Sequence, residues 1–110
     1  MKKLLLVLLF PFSAFSQYTS IPDANFEQAL INLDLDFVFD GVVETSAIDT
    51  VTDLMINNKD ISDLTGIEDF TALTELYCRW NQLTSLDVSN NTALTYLYCT
   101  ANQLTSLDVS

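Results

Sequence analysis

The apolar positions in the second half of the chain return at a fixed interval. Residues 73–89 recur as residues 94–110, which lie 21 positions further along, and 14 of the 17 aligned residues are identical. The three differences are Glu75/Tyr96, Arg79/Thr100 and Trp80/Ala101. A period of this length is typical of proteins built from stacked repeats, each of which buries its apolar face against its neighbours.

Each repeat begins with a short alternation of apolar and polar residues, which is the pattern of a strand. Successive side chains of a strand point to opposite faces, so Leu76 and Cys78 are predicted to point into the core. We expect equivalent strands of stacked repeats to pair in parallel, about 4.8 Å apart. The outward positions of these strands, in chain order, are Asp53, Met55, Asn57, Glu75, Tyr77, Arg79, Tyr96, Tyr98 and Thr100.

Residues 51–70 form a first, more divergent copy of the repeat. Its apolar positions match those of the second copy at an offset of 22 residues, which places one extra residue near Gly66. The matched pairs are Val51/Leu73, Leu54/Leu76, Ile56/Cys78, Ile61/Leu83 and Leu64/Leu86. Three copies are about the minimum that buries a core in a repeat architecture.

Asparagine follows the strand in the second and third copies, at Asn81 and Asn102. Its side chain is predicted to bond backbone groups that the turn out of the strand leaves unpaired. Beyond this turn, the return segment of the second repeat carries Leu83, Leu86 and Val88. Their spacing repeats that of the strand, so an extended and a helical return both remain compatible with the sequence.

Together these positions make up the frame L-x-x-L-x-L-x-x-N-x-L, with cysteine as its third apolar residue. The frame resembles the leucine-rich repeat family, and residues 57–67 look like the repeats of bacterial internalin-type surface proteins. With the segment at residues 21–30, the chain is similar to secreted bacterial leucine-rich repeat proteins, although Lys59 stands where the family has asparagine. The resemblance implies an α/β solenoid with short parallel strands on its concave face and an N-terminal helical cap.

An amphipathic helix is predicted after Pro22, with Asp23 as its N-cap residue. The helical spacing places Phe26, Ala29, Leu30 and Leu33 on an apolar face, and Glu27, Gln28 and Asn32 on a solvent face. A helix of about ten residues is too short to be stable alone, so we expect it to cover the first repeat. The predicted organisation is therefore a cap at residues 17–47, followed by repeats at residues 48–110.

Residues 34–44 combine acidic and apolar side chains, a composition that invites comparison with an EF-hand calcium loop. If Asp36 takes the first position of such a loop, Asp40 and Gly41 are correctly spaced. The third and twelfth positions then lack their ligands. We therefore predict no metal or cofactor here, and instead a turn at Asp40-Gly41 that packs the apolar residues 37–39 into the cap.

The first 16 residues are predicted to be a secretory signal peptide. A positively charged start precedes an apolar run at residues 4–10, and Ala14 and Ser16 match the small residues of a signal peptidase site. The alternative is a membrane anchor, but a spanning helix needs about 20 apolar residues, and Pro11 interrupts this run early. We expect a mature chain that starts at Gln17, is secreted or lies on the bacterial surface, and has no stable membrane span.

The charge and composition of the mature chain argue against nucleic-acid binding and against catalysis. Removal of Lys2 and Lys3 leaves 2 basic against 15 acidic residues, a formal net charge of −13, which repels nucleic acid. The chain contains no histidine, so the usual general base and the commonest metal ligand are missing. A carboxylate pair such as Asp53 and Glu75 would be too exposed for its pKa values to separate. We therefore predict that the protein is not an enzyme.

The two cysteines, Cys78 and Cys99, occupy equivalent inward positions in neighbouring repeats. Parallel strands would hold their Cβ atoms about 4.8 Å apart, whereas a disulfide prefers about 3.8 Å. We therefore expect two reduced thiols in the core.

The outward strand face is the candidate binding surface, because repeat proteins of this kind usually bind partners on their concave sheet. Two of the three differences between the near-identical repeats fall on it, and its tyrosines and Arg79 have the character of binding hot spots. We expect a protein or glycan ligand. Trp80, just after the strand, is either a contact at the rim or a lid over the core. The alternative function is a structural spacer in a longer protein, since the chain ends at Ser110 inside a repeat.

Overall fold

The computed structural model describes residues 17–110 as a mixed α/β structure with short strands and few helices. The predicted signal peptide lies outside these described residues. Within residues 17–110, no helix has the length and apolar character that crossing a membrane requires.

The N-terminal unit contains one pair of short antiparallel strands. Its elements are strand β1 (Tyr18–Ser20), helix α1 (Ala24–Asn32), strand β2 (Val42–Glu44) and helix α2 (Thr45–Ile48). Strands β1 and β2 pair antiparallel, with Thr19 opposite Val43. The chain between them contains helix α1 and a loop at residues 33–41.

Asp23 both starts helix α1 and joins it to the first repeat. One of its carboxylate oxygens accepts the amides of Asn25 and Phe26, at 2.9 and 3.0 Å, which is the capping role predicted from the sequence. The other oxygen accepts the amides of Ser62 and Asp63, at 2.9 and 3.0 Å. A single side chain therefore satisfies four backbone donors in two separate parts of the fold.

Helix α1 buries most of its predicted apolar face. Phe26, Ala29 and Leu30 are each 2% exposed or less, and the Phe26 ring stacks on that of Phe70 with centroids 6.3 Å apart. The prediction for Leu33 is wrong: this residue is 42% exposed, because the helix ends there and the chain turns away.

Glu27 contradicts its predicted place on the solvent face of helix α1, since it is only 2% exposed. The physical reason is that its carboxylate accepts the backbone amides of Asp40 and Gly41, at 3.0 and 2.8 Å. These two donors belong to the loop that folds over the helix, and the carboxylate satisfies both of them.

The repeats form two parallel sheets. Strands β3 (Asp53–Met55), β4 (Glu75–Tyr77) and β6 (Tyr96–Tyr98) make the first, and β5 (Ser85–Asp87) and β7 (Ser106–Asp108) the second. Asp53 pairs with Glu75, and Glu75 with Tyr96, in the register that the repeat alignment predicts. The return segment is thus extended in the second and third repeats, whereas the first has a 3-10 helix at Ile67–Asp69.

The inward side of the first sheet is the centre of the hydrophobic core. Leu54, Ile56, Leu76 and Cys78 are each 1% exposed or less. The equivalent Leu97 and Cys99, at β6, pack on this core but are only partly buried. Cys78 and Cys99 are free thiols, as predicted. Burial raises the pKa of the Cys78 thiol to about 12, so its reactive thiolate form is scarce.

Asparagine side chains fasten the turns that follow the strands. The Asn81 carbonyl oxygen accepts the amides of Lys59 and Ile61 in the preceding repeat, at 2.9 and 3.1 Å. Its amide nitrogen donates to the carbonyl of Ile56, at 2.9 Å. Asn102 bridges the second and third repeats in the same way. The predicted role of these asparagines is confirmed.

The extra residue of the first repeat lies near Gly66, where the structure requires glycine. Its φ of 109° lies in the left-handed region, which side chains other than glycine rarely adopt. A Cβ atom at this position would lie 2.8 Å from the carbonyl oxygen of Ser20. The first repeat therefore needs glycine at the point where β1 packs on it.

Candidate functional site

The nine outward positions identified from the repeat pattern lie side by side on one surface, which we call the outward face. Pairing of the strands forms one row of Asp53, Glu75 and Tyr96, and a second row of Met55, Tyr77 and Tyr98. Backbone hydrogen bonds beyond the strand ends continue this alignment through Asn57, Arg79 and Thr100. The parallel register brings these residues together although they come from three separate repeats.

Three tyrosines of the outward face stack into an aromatic cluster. The centroids of the Tyr77 and Tyr98 rings are 4.7 Å apart, and the rings are 8° from parallel. Tyr96 adds a third ring, whose centroid is 6.4 Å from that of Tyr98. The guanidinium carbon of Arg79 lies 4.9 Å from the Tyr98 centroid, within cation–π range. The aromatic cluster, as the name is used below, consists of these four residues.

Glu75 holds the first ring of the cluster in place. The Tyr77 hydroxyl donates a hydrogen bond to Oε1 of Glu75, two residues earlier on the same face of β4. Because the bond and the nearby negative charge favour the protonated phenol, they raise the pKa of Tyr77 to about 12. The ring is thus fixed at its stacked face and at its hydroxyl.

The exposed part of the outward face combines the apolar and aromatic side chains of Met55 and Tyr96 with the polar side chains of Asp53 and Thr100. Met55 is 58% exposed and Tyr96 is 54% exposed, whereas Tyr77, Tyr98 and Arg79 are partly buried against one another. Exposed aromatic and methionine side chains supply the kind of area that protein interfaces favour. The face therefore offers a preformed aromatic surface with a guanidinium at one end and carboxylates at the other.

Asn57 has a structural role within this face. Its side-chain oxygen accepts the Arg79 amide at 2.7 Å, and the Asn58 amide donates to the Arg79 carbonyl at 2.9 Å. These bonds hold the end of β3 to the end of β4. Asn57 consequently helps to position Arg79 over the Tyr98 ring.

Trp80 is a rim residue and not a lid over the core, because 56% of its surface is exposed. It adopts a left-handed conformation, with φ of 55°, and the equivalent Asn58 and Ala101 have φ of 57° and 59°. Left-handed backbone favours glycine and asparagine. The spacing of the repeats therefore imposes this turn even where the residue type disfavours it.

A second cluster, which the sequence analysis missed, lies in the N-terminal unit. Carboxylate oxygens of Glu27, Asp36 and Asp40 all lie within 4.8 Å of one another, and we call these residues the acidic pocket. Burial raises the pKa of Glu27, although the backbone amides of Asp40 and Gly41 act in the opposite direction. Helical periodicity does not indicate this site, because it places Glu27 on the solvent face of the helix. The acidic residues at 34–40 are the part of the sequence that indicates it.

The loop that contributes to the acidic pocket also exposes its apolar residues. Phe37, Val38 and Phe39 are 80%, 61% and 57% exposed, so the prediction that they pack into a cap is wrong. The carboxylate of Asp36 accepts the Phe37 amide at 2.9 Å, and the amide of Asp40 is tied to Glu27. Because polar groups anchor both ends of this segment, its three apolar side chains project outward.

Comparison with known proteins places the repeats next to the internalins. No protein-family model matches the chain. Internalin J of Listeria monocytogenes (serotype 4b, strain F2365) is 50% identical over 42 residues, which are 38% of this chain and 5% of that protein. The chain thus spans a small part of this curated relative.

Two solved structures extend the similarity to most of the chain. The functional domain of InlJ from Listeria monocytogenes, which includes a cysteine ladder, is 40% identical, with a TM-score of 0.72, over 86% of this chain and 22% of that one. The internalin InlF of Listeria monocytogenes strain 4b F2365 is 25% identical, with a TM-score of 0.65, over 79% of this chain and 29% of that one. The chain therefore carries leucine-rich repeats of the internalin type.

Proposed function

We propose that this chain is part of a secreted or cell-surface recognition module that binds a protein partner through its outward face. In this proposal the repeats at residues 48–110 form a solenoid, and the outward face is its concave side. Residues 17–47 form the N-terminal cap, and residues 1–16 are a signal peptide that is removed on export.

The aromatic cluster is the observation that carries the proposal. Tyrosine and arginine dominate the binding energy of many protein interfaces, because they combine large contact area with polar tips. Here the Tyr77 and Tyr98 rings already stack at 4.7 Å, and Glu75 holds the Tyr77 hydroxyl. A partner that contacts these rings would lose little side-chain entropy, since they are ordered before binding.

Charge supports a partner with basic groups around its contact surface. Asp53 and Glu75 lie side by side at one end of the outward face, and the mature chain has a formal net charge of −13. Complementary charge accelerates association more than it strengthens the final complex. The rate of binding should therefore fall as salt concentration rises.

The N-terminal unit supports the cap assignment through its contacts with the first repeat. Phe26 stacks on Phe70, and Asp23 accepts the amides of Ser62 and Asp63. These contacts cover apolar residues at the start of the stack, which is what a terminal cap of a repeat protein does.

Binding to a panel of extracellular protein domains, with a glycan array alongside, tests the proposal. We expect a captured protein whose affinity falls by about a hundredfold or more in the variant Tyr77→Ala/Tyr98→Ala, because two hot-spot side chains are lost. The matched control is Phe37→Ala/Phe39→Ala, which removes two exposed aromatic rings elsewhere and should bind normally.

Three other results would contradict parts of this proposal. Equal binding by both double variants would exclude the outward face. Capture of glycans alone would replace the protein ligand by a carbohydrate. If no ligand is captured, the alternative function is favoured, in which the chain is a structural spacer and its outward face contacts only solvent.

A further inference from the structure

The acidic pocket removes two carboxylates from water. Glu27 is 2% exposed and Asp36 is 8% exposed, and the exposed carboxylate of Asp40 completes the cluster. Burial of ionised groups is strongly unfavourable unless each is paired with an opposite charge or bound to a metal. The arrangement therefore favours neutralisation of the pocket, either by a proton shared between the carboxylates or by a bound cation.

Glu27 is oriented toward the loop by the backbone. Its Oε2 accepts the Asp40 amide at 3.0 Å, and its Oε1 accepts the Gly41 amide at 2.8 Å. Each carboxylate oxygen has two acceptor sites, so one bond to the backbone leaves the second free. The amides fix the carboxylate next to the loop without exhausting its capacity to bind another group.

Asp36 supplies a second, independent observation that points to a ligand. Its Oδ1 accepts the Phe37 amide at 2.9 Å, whereas its Oδ2 is fully buried and has no hydrogen-bond partner. Residues 17–110 contain only two basic residues, Lys59 and Arg79, and the guanidinium of Arg79 lies over the Tyr98 ring. A buried and unpartnered carboxylate oxygen is rare in folded proteins and calls for an explanation such as an ion.

We propose that Glu27, Asp36 and Asp40 form a calcium site that joins helix α1 to the following loop. Calcium binds carboxylate oxygens at about 2.3–2.6 Å, so oxygens bound to one ion can be up to about 5 Å apart, and those of the pocket lie within 4.8 Å of one another. Magnesium demands shorter and more regular coordination, which favours calcium. Three carboxylates and no nitrogen or sulfur ligand also fit a hard cation.

This site differs from an EF-hand loop, in which every ligand comes from one short segment. Here Glu27 comes from helix α1, and only Asp36 and Asp40 come from the loop. A surface pocket of about 250 Å³, lined by both aspartates and by Tyr18, leaves room for water to complete the coordination. Calcium would neutralise the pocket and hold the loop that displays Phe37, Val38 and Phe39.

Calcium-dependent stability of the whole chain is the primary test. Calcium sites of extracellular modules have dissociation constants of about 0.1–1 mM. Addition of about 5 mM calcium to chelator-treated protein should therefore raise the Tm by about 5–12 °C. Magnesium at the same concentration should have a much smaller effect.

Charge-matched variants separate a specific site from general screening of an acidic protein. Asp36→Asn should abolish the calcium-dependent rise in Tm, whereas Asp34→Asn, which removes one exposed carboxylate from the same loop, should retain it. If Asp36→Asn folds poorly, Asp40→Asn tests the same ligand set at an exposed residue. Equal calcium responses of Asp34→Asn and Asp36→Asn, or of Asp34→Asn and Asp40→Asn, would overturn the proposal.

Terbium luminescence provides a second readout, since terbium replaces calcium and is excited by a nearby tyrosine. Tyr18 lines the same surface pocket as Asp36 and Asp40. Sensitised emission should therefore be lost in Tyr18→Phe, while its calcium-dependent Tm rise persists. The proposal is wrong if calcium leaves the Tm of the unmodified protein unchanged while the substitution Asp36→Asn, without calcium, raises the Tm. In that case the carboxylates of the pocket share a proton and do not bind a cation.

Discussion

The Tyr77 ring lies nearly flat on the Tyr98 ring, with the centroids 4.7 Å apart and the planes 8° from parallel. The two residues are directly opposite each other on neighbouring parallel strands, so strand spacing sets the ring spacing. The geometry of the proposed binding surface is thus a direct consequence of the repeat register. A shift of either strand by one residue would move its ring to the inward side and break the stack.

The stack itself is predicted to stabilise the protein. In a double-mutant cycle of Tyr77→Ala and Tyr98→Ala, we expect a coupling free energy of about 0.5–1.5 kcal/mol, the range measured for aromatic pairs. Urea unfolding of the four proteins provides the values. Tyr77→Ala combined with Phe37→Ala is the control pair, and its effects should add, because the two residues lie in different parts of the fold. A coupling of zero for the tyrosine pair would mean that the rings do not stack in solution.

The hydrogen bond from Tyr77 to Glu75 should be visible in the alkaline titration of the tyrosines. The pKa of Tyr77 is raised from 10.0 to about 12, chiefly by this bond. The bond therefore contributes its full stability below about pH 10, where the unfolded phenol is also protonated, and that contribution is lost as the pH rises toward 12. Glu75→Gln should return the pKa of Tyr77 toward its ordinary value.

Ultraviolet absorbance of tyrosinate measures this shift, and Tyr77→Phe identifies the late-titrating group. Asp53→Asn is the control, since it removes a neighbouring carboxylate that does not accept the Tyr77 hydroxyl. If Asp53→Asn and Glu75→Gln shift the titration equally, general charge and not the hydrogen bond is responsible.

Asn81 is predicted to be among the most sensitive polar residues of the fold. Its side chain is 5% exposed and bonds backbone groups of two repeats. Asn81→Ala would leave several buried groups unpaired, so we expect the free energy of unfolding to fall by about 3 kcal/mol. Asn102→Ala should have a smaller effect, because Asn102 is only partly buried. Chemical denaturation compares the two, and equal losses would show that burial does not govern the contribution of these asparagines.

The hydrogen bonds of Asn81 also explain why lysine, and not the asparagine of the repeat frame, is found at position 59. Asn81 reaches back to the amides of Lys59 and Ile61 in the repeat before it. The residue at 59 belongs to the first repeat, which follows the N-terminal unit, and Asn25 of helix α1 donates to the neighbouring Asp60 carbonyl at 2.9 Å. An asparagine at 59 would therefore lack the preceding turn to which the later asparagines bond.

The parts of the fold that the sequence predicts well are those that the repeat encodes many times. The strand register, the asparagine bonds and the inward cysteines each depend on equivalent positions in successive copies, so the alignment specifies them together. The capping role of Asp23 depends on its immediate neighbours in the chain. Both kinds of information are local or periodic.

The acidic pocket was missed because its cause is neither local nor periodic. Glu27 is buried by two amides that lie 13 and 14 residues later. The periodicity of helix α1 assigns every charged residue to solvent, so it cannot reveal this. The exposure of Phe37 and Phe39 has the same origin, since anchored polar groups at both ends of the loop determine its path.

Substitution of Gly66 is predicted to be strongly destabilising, both because of its backbone conformation and because Ser20 lies close to it. Alanine there would have to adopt φ of 109° and place its Cβ 2.8 Å from the Ser20 carbonyl oxygen. We expect Gly66→Ala to lower the free energy of unfolding by about 3 kcal/mol, from backbone strain together with displacement of β1. Gly41→Ala is the matched control: φ is 83°, but nothing lies within 4 Å of the added Cβ. Strain alone should lower the stability of that variant by about 1 kcal/mol, and equal losses in thermal unfolding would mean that β1 does not pack against Gly66.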